Sequence, residues 1–138
     1  MNYLDATKML QTWMLNHIPE PHDSKKFRPD IERRLDQSLA FMHSNFDNNK
    51  LNGFDMADAI HLSKYHFVRL FKRKFGTTPY QYLTGIRIEA AKKLLRSSPF
   101  SISYIVIETG FLNRSSFSRL FKNCVGMTSS AYRKKFTI

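Results

Sequence analysis

Apolar residues recur every three or four positions along most of this chain, which is the spacing that places them on one face of a helix. One such stripe begins near Asp30 and ends near Phe46. A longer one runs through residues 79–97, and the residues predicted to face inward along it are Tyr82, Leu83, Ile86, Ala90, Leu94 and Leu95. The chain has only five glycines and five prolines, which leave few places to turn and favour helices over many short strands. The pattern therefore predicts an all-α fold.

A further amphipathic stripe covers residues 3–17, and the prolines at positions 19 and 21 would end it. Its apolar members are Leu4, Leu10, Trp13, Met14 and Ile18. We predict that residues 1–29 form a helical extension with a linker and that residues 30–138 form the folded domain. Docking on that domain, dimerisation and binding of a partner are all open as roles for the extension.

The second half of the chain repeats itself. The string "FVRLFKRKFG" spans residues 67–76, and "FSRLFKNCVG" spans residues 117–126, which places the copies 50 positions apart. Upstream of these strings the offset is 49, with Met56-Ala57 matching Ile105-Val106, so the two turns differ in length by one residue.

Each copy indicates a short helix, a tight turn and a longer helix that ends at a glycine, which is a helix-turn-helix arrangement. The predicted N-caps of these four helices are Asp55, Ser63, Ser101 and Asn113. We therefore predict about seven helices in two helix-turn-helix subdomains with a long linking helix between them. The first subdomain covers about 30–78, the linking helix about 79–97 and the second subdomain about 98–138.

The repeated longer helices, residues 64–75 and 114–125, each have one apolar and one polar face. The apolar faces carry Phe67, Leu70, Phe71 and Phe75 in the first copy and Phe117, Leu120, Phe121 and Val125 in the second. The polar faces carry basic and small side chains and no carboxylate. A helix with such a face fits the major groove of DNA, where arginine can bond guanine with two donors.

The charge distribution supports a polyanionic partner. The formal net charge is +11, and the segment from Lys64 to the end holds fifteen basic residues against only Glu89 and Glu108. A positive field of this size attracts polyanions, so nucleic acid is the first candidate for a partner and an anionic membrane is the second. The chain has no run of about 18 apolar residues, as a membrane span would need, and its start lacks the features of a secretory signal. We expect a cytosolic protein.

Backbone phosphates are the expected partners of a second set of residues. Ser63 and Asn113 lie at helix N-termini, where free N–H groups and the helix dipole favour a phosphate. Lys72, Arg73 and Lys122 are further candidates for phosphate contacts. The linking helix would be roughly 27 Å long, and successive major grooves on one side of B-DNA lie about 34 Å apart. One chain could therefore occupy two grooves, so a monomer would suffice.

Enzymatic chemistry has little support in the sequence. The single cysteine excludes a disulfide framework, and the spacing of the five histidines does not place two metal ligands on one helix face. Neither a glycine-rich phosphate loop nor a nucleophile with an attendant base is present. We expect no enzymatic activity, no cofactor and no metal.

Residues 31–136 resemble the paired helix-turn-helix domain of the AraC/XylS family of bacterial transcription regulators. The motifs that carry the resemblance are Gly110-Phe111, the twice-used F-x-R-x-F-K, Gly76 with Thr78-Pro79, and "RIEAAKKLL" in the linking helix. The resemblance implies a seven-helix domain in the bacterial nucleoid, an asymmetric double-stranded DNA site, and activation through contact with RNA polymerase. By position, the base-reading residues of the family correspond to Lys64, Tyr65, Val68 and Arg69 in the first copy and to Arg114, Ser115, Ser118 and Arg119 in the second.

Only about thirty residues lie outside this domain, so the chain resembles the short, stand-alone activators of the family. Dimerisation through the N-terminal extension would also be possible. Two alternatives remain open from the residues: a non-specific nucleoid or RNA-binding basic protein, and the truncated DNA-binding half of a ligand-responsive regulator.

Overall fold

The computed structural model describes residues 27–137, which form seven α-helices with no β-strand among them. The helices are α1 Pro29–Asn45, α2 Gly53–Ala59, α3 Lys64–Phe75, α4 Pro79–Ser97, α5 Ile102–Glu108, α6 Arg114–Val125 and α7 Ser129–Lys135. The prediction of an all-α fold with about seven helices and a long linking helix is confirmed. The helix predicted over residues 3–17 lies outside the described residues.

Polar N-caps begin six of these helices, from α2 to α7. In each, the side-chain oxygen of the cap accepts the backbone N–H three residues further along, which satisfies one of the free donors of the first turn. The predicted caps Ser63, Ser101 and Asn113 are confirmed. Gly76 and Gly126 end α3 and α6 in the left-handed conformation, as the sequence predicts.

The cap predicted for α2 is wrong. Asn52 is the N-cap, and its Oδ1 accepts the backbone N–H of Asp55 at 3.0 Å. Asp55 lies one turn inside, and its Oδ2 accepts the backbone N–H of Asn52 at 3.3 Å. The two residues form a reciprocal capping box, so the helix begins three positions earlier than a cap at Asp55 would allow.

Two hydrophobic cores hold the seven helices together. The first contains Phe67, Phe71 and Tyr82, and the second contains the residues 50 positions later, Phe117, Phe121 and Tyr132. The geometry of the rings repeats as well. Phe71 and Tyr82 meet edge-to-face with centroids 5.8 Å apart, and Phe121 and Tyr132 meet in the same way at 5.6 Å. The sequence repeat is therefore a repeat of packing.

Helix α4 contributes to both cores. Its N-terminal half adds Leu83 and Ile86 to the first, and its C-terminal half adds Ile88, Ala91 and Leu95 to the second. The sequence predicted that Ala90 and Leu94 face inward, but both are only half-buried, and Ile88 and Ala91 are buried instead. A helix that packs on two cores buries more than one stripe of residues. A prediction that assumes one apolar stripe therefore assigns some buried positions of α4 to the exposed side and some half-buried ones to the core.

Contact between α1 and α4 makes stability depend on pH. His43 packs edge-to-face on Tyr82, with its Nε2 3.5 Å from the Tyr82 hydroxyl oxygen. Burial lowers the pKa of His43 from its ordinary value of 6.5. Between that lowered pKa and 6.5 the unfolded chain binds more protons than the folded chain, so stability falls as the pH falls through this window.

We predict that replacing His43 removes part of this pH dependence. Urea unfolding of the wild type and of His43→Gln should be compared at about pH 7.5 and about pH 5.5. The wild type should lose more unfolding free energy on acidification than the variant does, because glutamine has no proton to bind. Equal losses would show that protonation of His43 does not destabilise the fold.

Candidate nucleic-acid interface

Helices α3 and α6 present the polar faces that the sequence predicts. Tyr65 is 77% exposed, and Val68 is half-buried, which makes it the least accessible of the predicted base-reading residues. The exposed members of the predicted set are Lys64, Tyr65 and Arg69 on α3 and Arg114, Ser115, Ser118 and Arg119 on α6. The structure therefore brings each predicted set together on the surface of one helix.

The aromatic cores determine which face of each helix is exposed. Phe67 and Phe71 are fully buried, four positions apart on α3, so Arg69 between them points away from the core. Phe117 and Phe121 are buried in the same way on α6 and direct Arg119 outward. In both helices, two buried phenylalanines four positions apart thus direct the arginine between them away from the core.

The electrostatic field of these faces is not cancelled locally. Lys74, near the end of α3, pairs with acidic residues of α1, its Nζ 2.8 Å from Asp36 Oδ1 and 3.4 Å from Glu32 Oε1. Neither α3 nor α6 contains a carboxylate of its own. Exposed Lys72 and Lys122 lie one turn beyond the central arginines and extend the positive surface along each helix.

Arg73 occupies a different place from the other predicted phosphate contacts. Its guanidinium carbon lies 4.0 Å from the centre of the Phe27 ring, and the residue is half-buried. Phe27 precedes α1, so this cation–π contact joins the start of the first helix to α3. The structure thus separates Arg73 from exposed Lys72, its neighbour in the sequence.

The N-termini of α3 and α6 keep donors that capping does not use. Ser63 Oγ accepts the backbone N–H of His66 at 3.2 Å, and Asn113 Oδ1 accepts that of Ser116 at 2.8 Å. The serine hydroxyl retains its proton and the asparagine retains its NH₂ group, and both are donors. These two predicted phosphate contacts can therefore cap their helices and still donate to an anion.

One pair of contacts was missed by sequence reasoning. Lys64 Nζ lies 4.5 Å from the centre of the Phe54 ring, and Arg114 Nη1 donates to Ser103 Oγ at 3.2 Å. Lys64 and Arg114 are matching positions of the repeat, and so are Phe54 and Ser103, at the offset of 49. In each copy the first residue of the longer helix therefore touches the short helix before it. The sequence repeat predicts this match only if positions before the turn are compared at the offset of 49 and positions after it at the offset of 50.

Comparison with known proteins decides the family. A family model described as "Helix-turn-helix domain" matches residues 56–135, which is more than half of the chain and includes both copies of the repeat. The chain belongs to the AraC/XylS family. It carries an AraC-type helix-turn-helix DNA-binding domain, and the resemblance that its motifs carry is confirmed.

Relatives and solved structures agree with this assignment. The bifunctional transcriptional activator/DNA repair enzyme AdaA of Bacillus subtilis is 36% identical over 106 residues, which cover 77% of this chain and 49% of AdaA. The C-terminal domain of AraT, a response regulator from Geobacillus stearothermophilus, matches with a TM-score of 0.71 and 25% identity over 83% of this chain and 91% of that domain. The DNA-binding domain of AdpA, solved with a target DNA, shares the fold with a TM-score of 0.71 and 23% identity, covering 75% of this chain and 92% of that one.

The chain spans half or less of the length of the curated relatives it matches. The AraC-type assignment therefore concerns the domain that contains residues 56–135. None of the helices that residues 27–137 form is both long and apolar enough to span a bilayer.

Lys72 and Arg73 allow a direct test of which basic residues of α3 contact DNA and which stabilise the fold. We predict that Lys72→Ala lowers the slope of log K against log salt for DNA binding by about one, because one phosphate contact is lost, and that Lys122→Ala does the same. Arg73→Ala should leave that slope unchanged and lower the unfolding free energy by about 0.5–2 kcal/mol, because the contact with Phe27 is lost. Titrations at several salt concentrations and urea unfolding measure the two quantities.

The opposite pattern would contradict this assignment of Lys72 to a phosphate contact and of Arg73 to the contact with Phe27. A lowered salt slope for Arg73→Ala would place its guanidinium on a phosphate in the complex. An unchanged slope for Lys72→Ala would remove Lys72 from the interface.

Proposed function

We propose that this protein recognises a specific sequence of double-stranded DNA by inserting α3 and α6 into two successive major grooves. The observation that carries the proposal is the repeated packing: equivalent buried rings hold two basic, carboxylate-free helix faces outward. Helix α4, which separates the two units, has 19 residues and is therefore about 28 Å long. That length is comparable to the distance of about 34 Å between successive major grooves on one side of B-DNA.

The two faces differ in chemistry, which favours an asymmetric site. On α3 we assign base contacts to Lys64, Tyr65 and Arg69, with half-buried Val68 limited to an apolar contact such as a thymine methyl group. On α6 the base contacts are Arg114, Ser115, Ser118 and Arg119. Arg69 and Arg119, at matching positions, are the candidates for two-donor recognition of guanine.

Phosphate contacts on either side of each face would fix the two helices in their grooves. The assigned residues are Ser63 and Asn113 at the helix starts and Lys72 and Lys122 one turn past the arginines. Their exposure and remaining donors support this role. Such contacts give affinity without sequence preference, so specificity rests on the base-reading residues.

We further propose that the protein activates transcription through contact with RNA polymerase. The support for activation is the name of AdaA, a transcriptional activator that matches 77% of this chain. A single chain carries two DNA-contacting helices, so the proposed binding requires no second copy.

The proposal is tested by selecting genomic DNA fragments with the purified protein under excess competitor DNA at physiological salt. The expected result is enrichment of one asymmetric site with two short informative blocks about one helical turn apart. Retention that follows salt alone, without an enriched sequence, would contradict sequence-specific binding and favour a non-specific nucleoid or RNA-binding protein.

We predict that Arg69→Ala and Arg119→Ala each weaken binding to the selected site by about 1–3 kcal/mol and relax the preference at one base position. Binding to a library of single-base variants of the site measures both effects. Lys50→Ala, which removes an exposed positive charge from the loop after α1, is the matched control and should leave the base preferences unchanged. An equal loss of affinity on every sequence would make the replaced arginine a phosphate contact instead.

A further inference from the structure

Arg87 lies at the boundary between the two cores. Its neighbours Ile86 and Ile88 on α4 belong to the first and second core, respectively. The Arg87 side chain is only 6% exposed. Its Nε donates to the Phe46 carbonyl oxygen at 2.7 Å, and its Nη2 donates to the Asn48 carbonyl oxygen at 2.9 Å. A buried guanidinium thus ties the end of α1, in the first unit, to the middle of the linking helix.

The second unit reaches the same point through Gly110, in the turn between α5 and α6. A Cβ atom on Gly110 would overlap the Phe46 carbonyl oxygen and would lie 2.9 Å from Arg87 Nε and 3.0 Å from Asp47 Cα. Three segments therefore meet here: the residues after α1, Arg87, and the turn of the second helix-turn-helix. We call this meeting point the inter-unit joint.

The repeat provides an internal comparison for Gly110. The matching position of the first unit, at the offset of 49, is His61, and both residues have positive φ, 58° for His61 and 86° for Gly110. His61 is exposed, so the turn itself accepts a side chain in this conformation. The second unit needs glycine for a further reason, which is the close approach of the first unit.

We propose that the inter-unit joint, formed by Arg87, the Phe46 and Asn48 carbonyls and Gly110, fixes the orientation of the two helix-turn-helix units and thereby sets the spacing between the two DNA blocks that the protein accepts. The second part of the proposal rests on the proposed function, whereas the first concerns the free protein. Arg87 and Gly110 are positioning residues, since neither belongs to the assigned DNA contacts.

The physical argument for spacing is geometric. Each added base pair turns the second block by about 35° around the helix axis and moves it by about 3.4 Å. A rigid pair of recognition helices can satisfy one spacing well and its neighbours poorly. A pair joined by a mobile connection would tolerate several spacings, with lower affinity for the best of them, because binding would have to order the connection.

The joint can be tested in the free protein with spin labels at two exposed positions, Gln37→Cys on α1 and Asn123→Cys on α6, in a Cys124→Ala background. Pulsed electron resonance gives the distribution of distances between the labels. We expect a single narrow distribution for this parent protein and a broadened or shifted one for Arg87→Met. An unchanged distribution for Arg87→Met would overturn the proposal.

Arg133→Met is the matched control, because Arg133 also donates to two backbone carbonyls, those of Leu95 and Ser98, but within the second unit. It should leave the label distances unchanged.

Gly110→Asn tests the joint from the other side, since asparagine tolerates positive φ but brings the overlapping Cβ. Its control is His61→Asn, and a shift with Gly110→Asn alone supports the joint, whereas equal effects of both would overturn it.

Spacing preference is then measured on the site that the wild type selects, with one base pair added to or removed from the region between the blocks. The wild type should lose at least tenfold in affinity with either change, and Arg87→Met should lose less than threefold, from a weaker starting affinity. Wild-type selectivity retained in Arg87→Met would overturn the role in spacing. If the wild type selects no two-block site, the proposed function fails, and the label distances still decide whether the joint orients the units.

Discussion

Helix α4 has to complete two hydrophobic cores with a single run of 19 residues, and the rest of the structure depends on that constraint. Residues up to Ile86 pack in the first core, and residues from Ile88 onward pack in the second. Arg87 and Glu89 are buried along with them, at a cost that is acceptable only when they have partners. Arg87 bonds two carbonyls, and Glu89 Oε1 accepts from Lys92 Nζ at 3.2 Å.

The two cores explain why the two outward faces are so similar. In each unit the second buried phenylalanine of the longer helix, Phe71 or Phe121, packs edge-to-face against a tyrosine on the helix that follows. Those rings fix the rotation of the longer helix about its own axis. That rotation places the basic residues on the exposed side of the helix. The faces are thus alike in orientation and differ only in the side chains they present, which agrees with the proposed recognition of two different short sequences.

Local features of this fold could be predicted from the sequence. Helix spacing, caps and terminal glycines involve residues within four positions of one another, so the pattern predicts α3, α4 and α6 closely. The repeat added long-range information, because two equal strings indicate two equal environments. The exposed positions of Arg69 and Arg119 follow from these signals alone. The cap of α2 was missed because Asn52 and Asp55 act as a pair, while the prediction considered the acidic residue alone.

Other contacts that sequence reasoning did not supply join residues about forty or more positions apart. Arg87 meets the carbonyls that follow α1, and Arg73 meets Phe27, without any periodic signal in the chain. Backbone carbonyls are acceptors at every residue, so no residue type identifies the partner of a buried arginine. The close approach at Gly110 is hidden for a related reason, since a glycine in a turn is explained locally before a packing reason is sought.

The central claim is that one chain contacts two successive major grooves through α3 and α6. Dimethyl sulfate methylates guanine N7 in the major groove, so a protection experiment on a bound site maps major-groove occupancy directly. The account predicts two clusters of protected guanines about ten base pairs apart, with the first lost in Arg69→Ala and the second lost in Arg119→Ala, or the reverse order according to the orientation of the site. Protection of a single cluster by the fully bound protein would contradict it.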